Sequence, residues 1–342
     1  MQRVNNLQNC IRSIPLPFNR RAVKLIIIIF LFGRIAHGSA SKNWSISVTP
    51  LFSVEYGTIG EYAYKKNAGG EYKKISKLDW DIKPVLYWGG AVGVSWKALT
   101  LSGFARSAVP MRSGSMEDSD WKTLTDLKTT YSEHENTIAS SYAFGGQISY
   151  AFRIADTFSI RPFIGLDYTY IAMEARNGRA WEGYNTLTHT GVAWNDPSAK
   201  PYVPLDIDYT REELYTRFGV SLDTVFNNTL TLTLSLSLSP YAYIQALDHH
   251  YGEFGTTPDT YFADILHGWF SAYRFGIETV YAFNKNISLK LALSWTLMRP
   301  IRGATYDANR PAGPWHGSDN AQGGASRSTG KISIGCTYRL NF

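Results

Sequence analysis

Leu230-Thr231-Leu232-Thr233-Leu234-Ser235-Leu236-Ser237-Leu238 sets leucine at every even position and a hydroxyl residue at every odd one. Successive side chains of an extended strand point to opposite faces, so one face here is hydrocarbon and the other polar. A soluble sandwich would give the same period. The next arm is more telling: Ile287, Leu289, Leu291, Leu293, Trp295 and Leu297 alternate with Ser288, Lys290, Ala292, Ser294 and Thr296. A lysine inside a dry core is costly, whereas in a wet lumen it is not. The pattern points to strands that cross a membrane with lipid outside and polar groups inside.

Working outward from these arms, tight turns read at Ser95-Trp96-Lys97, Ile154-Ala155-Asp156, Asn227-Asn228 and Asn284-Lys285-Asn286. Long polar connections read at 61–76, 112–138, 177–207, 249–261 and 303–327. Short and long links alternate, which gives ten strands at about 43–60, 77–94, 98–117, 139–153, 157–176, 208–226, 229–248, 262–283, 287–302 and 329–342. The expected fold is all-β, a ten-stranded antiparallel transmembrane β-barrel with long extracellular loops and short periplasmic turns. The last residues, Tyr338-Arg339-Leu340-Asn341-Phe342, alternate and close on an aromatic. That ending resembles the assembly signal of bacterial outer-membrane barrels.

Residues 1–40 read as a secretory signal peptide. Arg3, Arg12, Arg20, Arg21, Lys24 and Arg34 precede or flank Leu25-Ile26-Ile27-Ile28-Ile29-Phe30-Leu31-Phe32, and Gly38-Ser39-Ala40 supplies small residues. The apolar run is shorter than the ~20 residues a spanning helix needs. Cleavage is expected after Ala40, with Gly38 the second choice, leaving 41–342 as one barrel domain. Six of the 34 basic residues and none of the 28 acidic ones lie in the leader, so the remainder carries 28 of each. The basic pI therefore gives no case for a nucleic-acid partner. Cys10 leaves with the leader and Cys336 stands alone, so no intramolecular disulfide is expected.

Two pairs of residues could do chemistry. Asp118 and Asp120 lie where the third strand meets its loop, and Asp248 and His250 lie where the seventh does. Both strands run outward, so all four groups belong at one rim, on roughly opposite walls. Paired carboxylates share a proton or hold a water, and an imidazole oriented by an aspartate can take a proton from that water. Asp248 and His250 have the parity of the lipid-facing leucines, so an unbroken strand would aim them outward. Pro240 cannot donate to the ladder and marks the place for a one-residue bulge between Ser239 and Ala246, which would turn them inward. Asp248-His249-His250 could also be a metal site, but no His-x-x-x-His or comparable third ligand stands nearby. His134, in Ser132-Glu133-His134-Glu135, reads as a loop residue at the cleft rim.

Several stretches carry a family resemblance. Met116-Glu117-Asp118-Ser119-Asp120-Trp121, Asp248-His249-His250-Tyr251 and Ile75-Ser76-Lys77-Leu78-Asp79-Trp80 resemble, in order, motifs of the omptins, ten-stranded outer-membrane proteases of Gram-negative bacteria. The resemblance implies an aspartic-type endopeptidase with Asp118, Asp120, Asp248 and His250 catalytic, an activated water and no covalent intermediate. It implies polypeptide substrates, a surface-facing site, a role in virulence, a monomer, no metal, and lipopolysaccharide as an activating lipid rather than a cofactor of the chemistry. It also implies an acidic pocket for a basic substrate residue. Glu61, in Glu61-Tyr62-Ala63-Tyr64, matches one of its acids, whereas Ala246 stands where the family has the other. His249 replaces a further family acid, and Gly165-Leu166-Asp167-Tyr168-Thr169-Tyr170 lacks the family's Glu and Arg for the lipid. The alternative is a non-enzymatic barrel, an adhesin or small pore.

Overall fold

The computed structural model describes residues 44–252, 258–311 and 313–342; the leader expected over 1–40 lies outside the described residues. Ten strands follow in chain order: β1 (Trp44–Lys66), β2 (Tyr72–Trp96), β3 (Leu99–Ala108, resuming as Met111–Asp120), β4 (Thr130–Tyr150), β5 (Phe158–Glu182), β6 (Ile207–Phe226), β7 (Leu230–His250), β8 (Thr260–Ala282), β9 (Ile287–Ala308) and β10 (Ala321–Asn341). Each pairs antiparallel with the next. β10 pairs with β1 from Ser45↔Asn341 to Lys65↔Ala321, which closes the ring and leaves no edge.

The short turns fall at 97–98, 156–157, 227–229 and 283–286, within two residues of the expected places, although Ser95, Trp96, Ile154 and Ala155 lie in strands. Asn227 and Asn228 both take positive φ, 51° and 56°, which asparagine tolerates better than most residues and which suits a tight hairpin. The strand lengths differ from expectation. β1 was expected to end at 60 and runs to Lys66; β4 begins at Thr130 rather than 139, and β10 at Ala321 rather than 329. Much of what reads as long loop is hairpin. Above the belt the outer face is more polar, apart from Leu247, Ala263 and Ile265, which pack with Trp315, so the leucine period stops while the backbone ladder continues.

Outward-facing Trp44, Val48 and Phe52 on β1, Trp88 and Val92 on β2, Leu234 and Leu236 on β7, and Ile332 and Ile334 on β10 are all exposed and form an apolar belt. On β9 the belt runs from Ile287 to Leu297. At ~3.3 Å per residue and a tilt of ~40° that run is about 25 Å tall, the height of a membrane-barrel belt.

Just above the belt the register slips around most of the ring. β7 carries one residue more than β6 between Leu238 and Ala242. Slips recur between Ser239 and Tyr241 against β8, between Leu266 and Ala272 of β8 against β9, between Met298 and Ile301 of β9 against β10, and between Glu55 and Gly57 of β1 against β2. Pro84, Pro110, Pro240 and Pro300 lie in this seam, where a missing N–H does least harm. The bulge expected near Pro240 is therefore present, and it exchanges the faces of β7. Even-numbered leucines point to lipid below it; Ala246 and Asp248 are buried inside above it.

The lumen is filled. Arg327 Nη2 and Nη1 donate to Glu55 Oε1 (3.0 Å) and Glu213 Oε2 (2.5 Å), and Arg211 Nη2 lies 2.7 Å from Glu213 Oε1. Arg106 adds a bond to Glu55 at 2.8 Å, and Arg217 and Arg274 flank Asp167 at 3.0 and 2.8 Å. The cavity left among these groups is about 20 Å³, room for about one water. Above the ion network an apolar layer crosses the barrel. Trp80 of β2 stacks on Tyr209 of β6, ring centroids 5.4 Å apart, with Leu78, Met116, Ile138 and Met173 packed around them. β2 and β6 are four strands apart on the ring, so this stack pinches opposite walls together.

Candidate active site

The pinch places the two acid pairs on the same apolar floor. Asp118 and Asp120 end β3, registered with Leu78 and Ser76 of β2 and with Ser132 and Thr130 of β4. Asp118 Oδ1 accepts a hydrogen bond from Ser76 Oγ at 3.2 Å, and Lys122 Nζ lies 3.8 Å from Asp120. Asp248 and His250 end β7, registered with Phe262 and Thr260 of β8. His250 Nε2 lies 2.7 Å from Asp248 Oδ2, and the imidazole meets Phe262 edge-on at 5.6 Å. His249, between them, points the other way. Its ring sits 4.0 Å from that of Tyr251 and 4.2 Å from that of Tyr261, and its Nε2 is 3.0 Å from Asp259. That clamp holds the strand end, and the pleat then aims Asp248 and His250 inward.

The site stands well above the belt. From Tyr241 to His250 is nine residues, roughly 20 Å along the barrel axis. Burial on the apolar floor governs its protonation. Burial first, then the charge of Asp120, pushes the Asp118 carboxyl up to about 8, against the pull of His250 and Ser76. Burial also raises Asp120, opposed mainly by Lys122. For His250, burial alone would lower the pKa, but the charge and hydrogen bond of Asp248, helped by Asp118 and Asp120, push it up to about 9. The four groups feel one another. Near neutral pH the arrangement is an imidazolium on Asp248 near a carboxyl pair in which Asp118 keeps its proton.

Some neighbours were misplaced or missed by sequence reading. His134 is not in a loop. It lies within β4, is 2% exposed, and its Nε2 is 3.1 Å from Ser132 Oγ, beside Asp118. Burial, followed by the positive charges of His250 and Arg176, lowers its pKa to about 4, so it is neutral at the site. Ser132-x-His134 has the strand spacing that puts both on one face, but this signal counts only once 112–138 is recognised as hairpin. Ser76 was within a quoted motif without being assigned a role. Glu61 on β1 is buried and within electrostatic reach of Asp248, Asp264 and Asp118, which together with burial raise its pKa well above the ordinary value. Ala246 is buried between Arg211 of β6 and Asp264 of β8. Asp264 had no signal in the sequence.

A closed ring of ten strands with an apolar belt and short turns at one end defines an outer-membrane β-barrel, and its other end carries the acid–imidazole cluster. The sequence matches the Omptin family profile over residues 43–340, and the chain belongs to the omptin family. Among solved structures, the outer membrane protease OmpT from Escherichia coli superposes with a TM-score of 0.73 at 16% identity, covering 86% of this chain and 97% of that one. Likeness to two other outer-membrane barrels is much lower. The outer membrane protein OprG from Pseudomonas aeruginosa gives a TM-score of 0.31 at 9% identity, covering 89% of this chain and 99% of that one. The translocator domain of autotransporter NalP from Neisseria meningitidis gives 0.29 at 9%, covering 94% and 95%. No curated protein sequence matches.

Proposed function

We propose that the chain is an endopeptidase of the outer membrane that cuts exposed polypeptides on the outer side of the cell. The observation that carries this reading is the 2.7 Å pair of His250 and Asp248 within electrostatic reach of the Asp118–Asp120 pair over an apolar floor. A water held between the two pairs has a carboxylate on one side and an imidazole on the other. His250, once neutral, takes its proton as the water attacks the peptide carbonyl. Asp248 holds the ring and stabilises the imidazolium that forms. Asp118 and Asp120 hold the water from the opposite wall, and His250 returns the proton to the amine nitrogen as the C–N bond breaks. The water attacks directly, so no bond between enzyme and substrate forms.

The long-loop end is assigned to the outside on the general rule for such barrels. Action as a monomer and activation by lipopolysaccharide rest on the family resemblance alone. The competing reading, an adhesin or small pore, fares worse as a pore: the ion network leaves a cavity of only about 20 Å³ in the lumen. The deciding experiment offers a peptide library to refolded protein with and without lipopolysaccharide, beside planar-bilayer conductance. Cleavage without conductance supports the proposal; conductance without cleavage overturns it.

A further inference from the structure

Three carboxylates converge on Ala246. Asp264 lies opposite Ala246 in the β7–β8 register, Asp248 is two residues on, and Glu61 reaches the same place from β1. Asp248 has His250 as partner. Among the described residues neither Glu61 nor Asp264 has an ion pair with a lysine or arginine. Glu61 is 7% exposed, and its buried Oε2 closes no hydrogen bond of good geometry; the donor turned toward that carboxylate is the neutral indole N–H of Trp80, not a cation. Arg211 lies across the other ladder from Ala246; its Nη2 pairs with Glu213 and its Nη1 donates to the carbonyls of Gly60 and Ser326, which leaves only its buried Nε without a partner.

The backbone opposite is shaped for Asp264. A Cβ on Gly323 of β10 would fall 2.0 Å from its carboxylate, so no residue with a side chain fits there without displacing it. Ala246 puts only a methyl group beside the two acids. Ionised carboxylates are expensive to bury together without a cation. In keeping with that, burial, helped by Asp248, raises Asp264 to about 7 despite a hydrogen bond from Thr305. The cluster is short of one positive charge, and it borders the Asp248–His250 pair.

We propose that Asp264 is a specificity-determining residue: with Glu61 it forms the pocket for a positively charged substrate side chain beside the scissile bond. The acid absent at Ala246 is supplied from the neighbouring strand, one cross-strand step away. The inference rests on the endopeptidase reading and names what that site selects. The side chain's ammonium or guanidinium would enter over Ala246 and bond to Glu61 Oε2 and to Asp264.

The test measures kcat/KM for matched peptides with arginine, glutamine or leucine at the varied position. The proteins are the refolded full barrel, its Asp264→Asn variant, and an Asp264→Asn/Ala246→Asp double variant. The parent is expected to favour arginine over glutamine. Asp264→Asn should cut that ratio roughly 30-fold or more, mainly through KM, as for loss of one partner of a buried charge pair. The double variant should regain selectivity, because it returns one carboxylate to the adjacent position; a packing role for Asp264 would not be rescued this way. A parent that cuts peptides with no preference for arginine, an unchanged ratio in Asp264→Asn, or a double variant as unselective as the single overturns this inference while leaving the endopeptidase reading intact. A parent that cuts no peptide overturns both.

Discussion

Replacing Asp248 with Asn keeps the shape of the side chain and removes its charge, 2.7 Å from His250 Nε2. Two consequences follow. The pKa of His250, about 9 with Asp248 in place, should drop toward the ordinary 6.5. Burial will assist the drop, and Asp118 and Asp120 will resist it. A net shift of about two pH units corresponds to about 3 kcal/mol at ~1.36 kcal/mol per unit. His250 must be neutral to accept a proton, so the parent's rate should rise as pH climbs through about 9. In Asp248→Asn that limb should move down by about two units, with its plateau lowered because the amide no longer stabilises the imidazolium. The same change in a serine-protease triad costs about 10⁴ in kcat, so a loss of 10² to 10⁴ is a reasonable range here. The assay is the pH dependence of kcat for an internally quenched peptide between pH 5 and pH 10, on refolded protein in lipid. A limb that stays put, or a plateau equal to the parent's, would refute the role given to the pair.

Two further outcomes test the architecture beneath the site. Deleting Pro240 removes the residue by which β7 exceeds β6 and should turn Asp248 and His250 to the outer face; the barrel should still resist SDS at room temperature but lose cleavage, and retained activity would contradict the placement of the pair by the bulge. Arg327→Met leaves Glu55 and Glu213 without their shared cation in a buried network and should cost about 3–5 kcal/mol in urea unfolding from micelles; a loss below about 1 kcal/mol would mean that other charges hold the plug together.

The barrel was legible because lipid and lumen impose opposite chemistry on alternate residues over Leu230–Leu238 and Ile287–Leu297. Where water bathes the outer face, that constraint lapses, and the hairpins above the belt were read as loops. The same blindness put His134 in a loop. The four candidate residues were legible from spacing and family motif, and Pro240 told where β7 would change face. Asp264 was invisible for a different reason. Its neighbours are set by register, with Ala246 across one ladder, Thr305 across the other and Gly323 on a strand further round, and no local pattern encodes that meeting. Pairing of strands far apart in sequence is decided by the closed ring as a whole.

The central claim is that His250 passes the water's proton and that water, not a side chain, attacks the peptide. Single-turnover cleavage of one peptide by the parent and by His250→Ala, with the protein's mass followed during the reaction, tests it most directly. The expected result is a rate at least ~10²-fold lower in His250→Ala, with no acyl adduct on the parent at any time. Equal rates, or an adduct that forms and decays at the turnover rate, would contradict it.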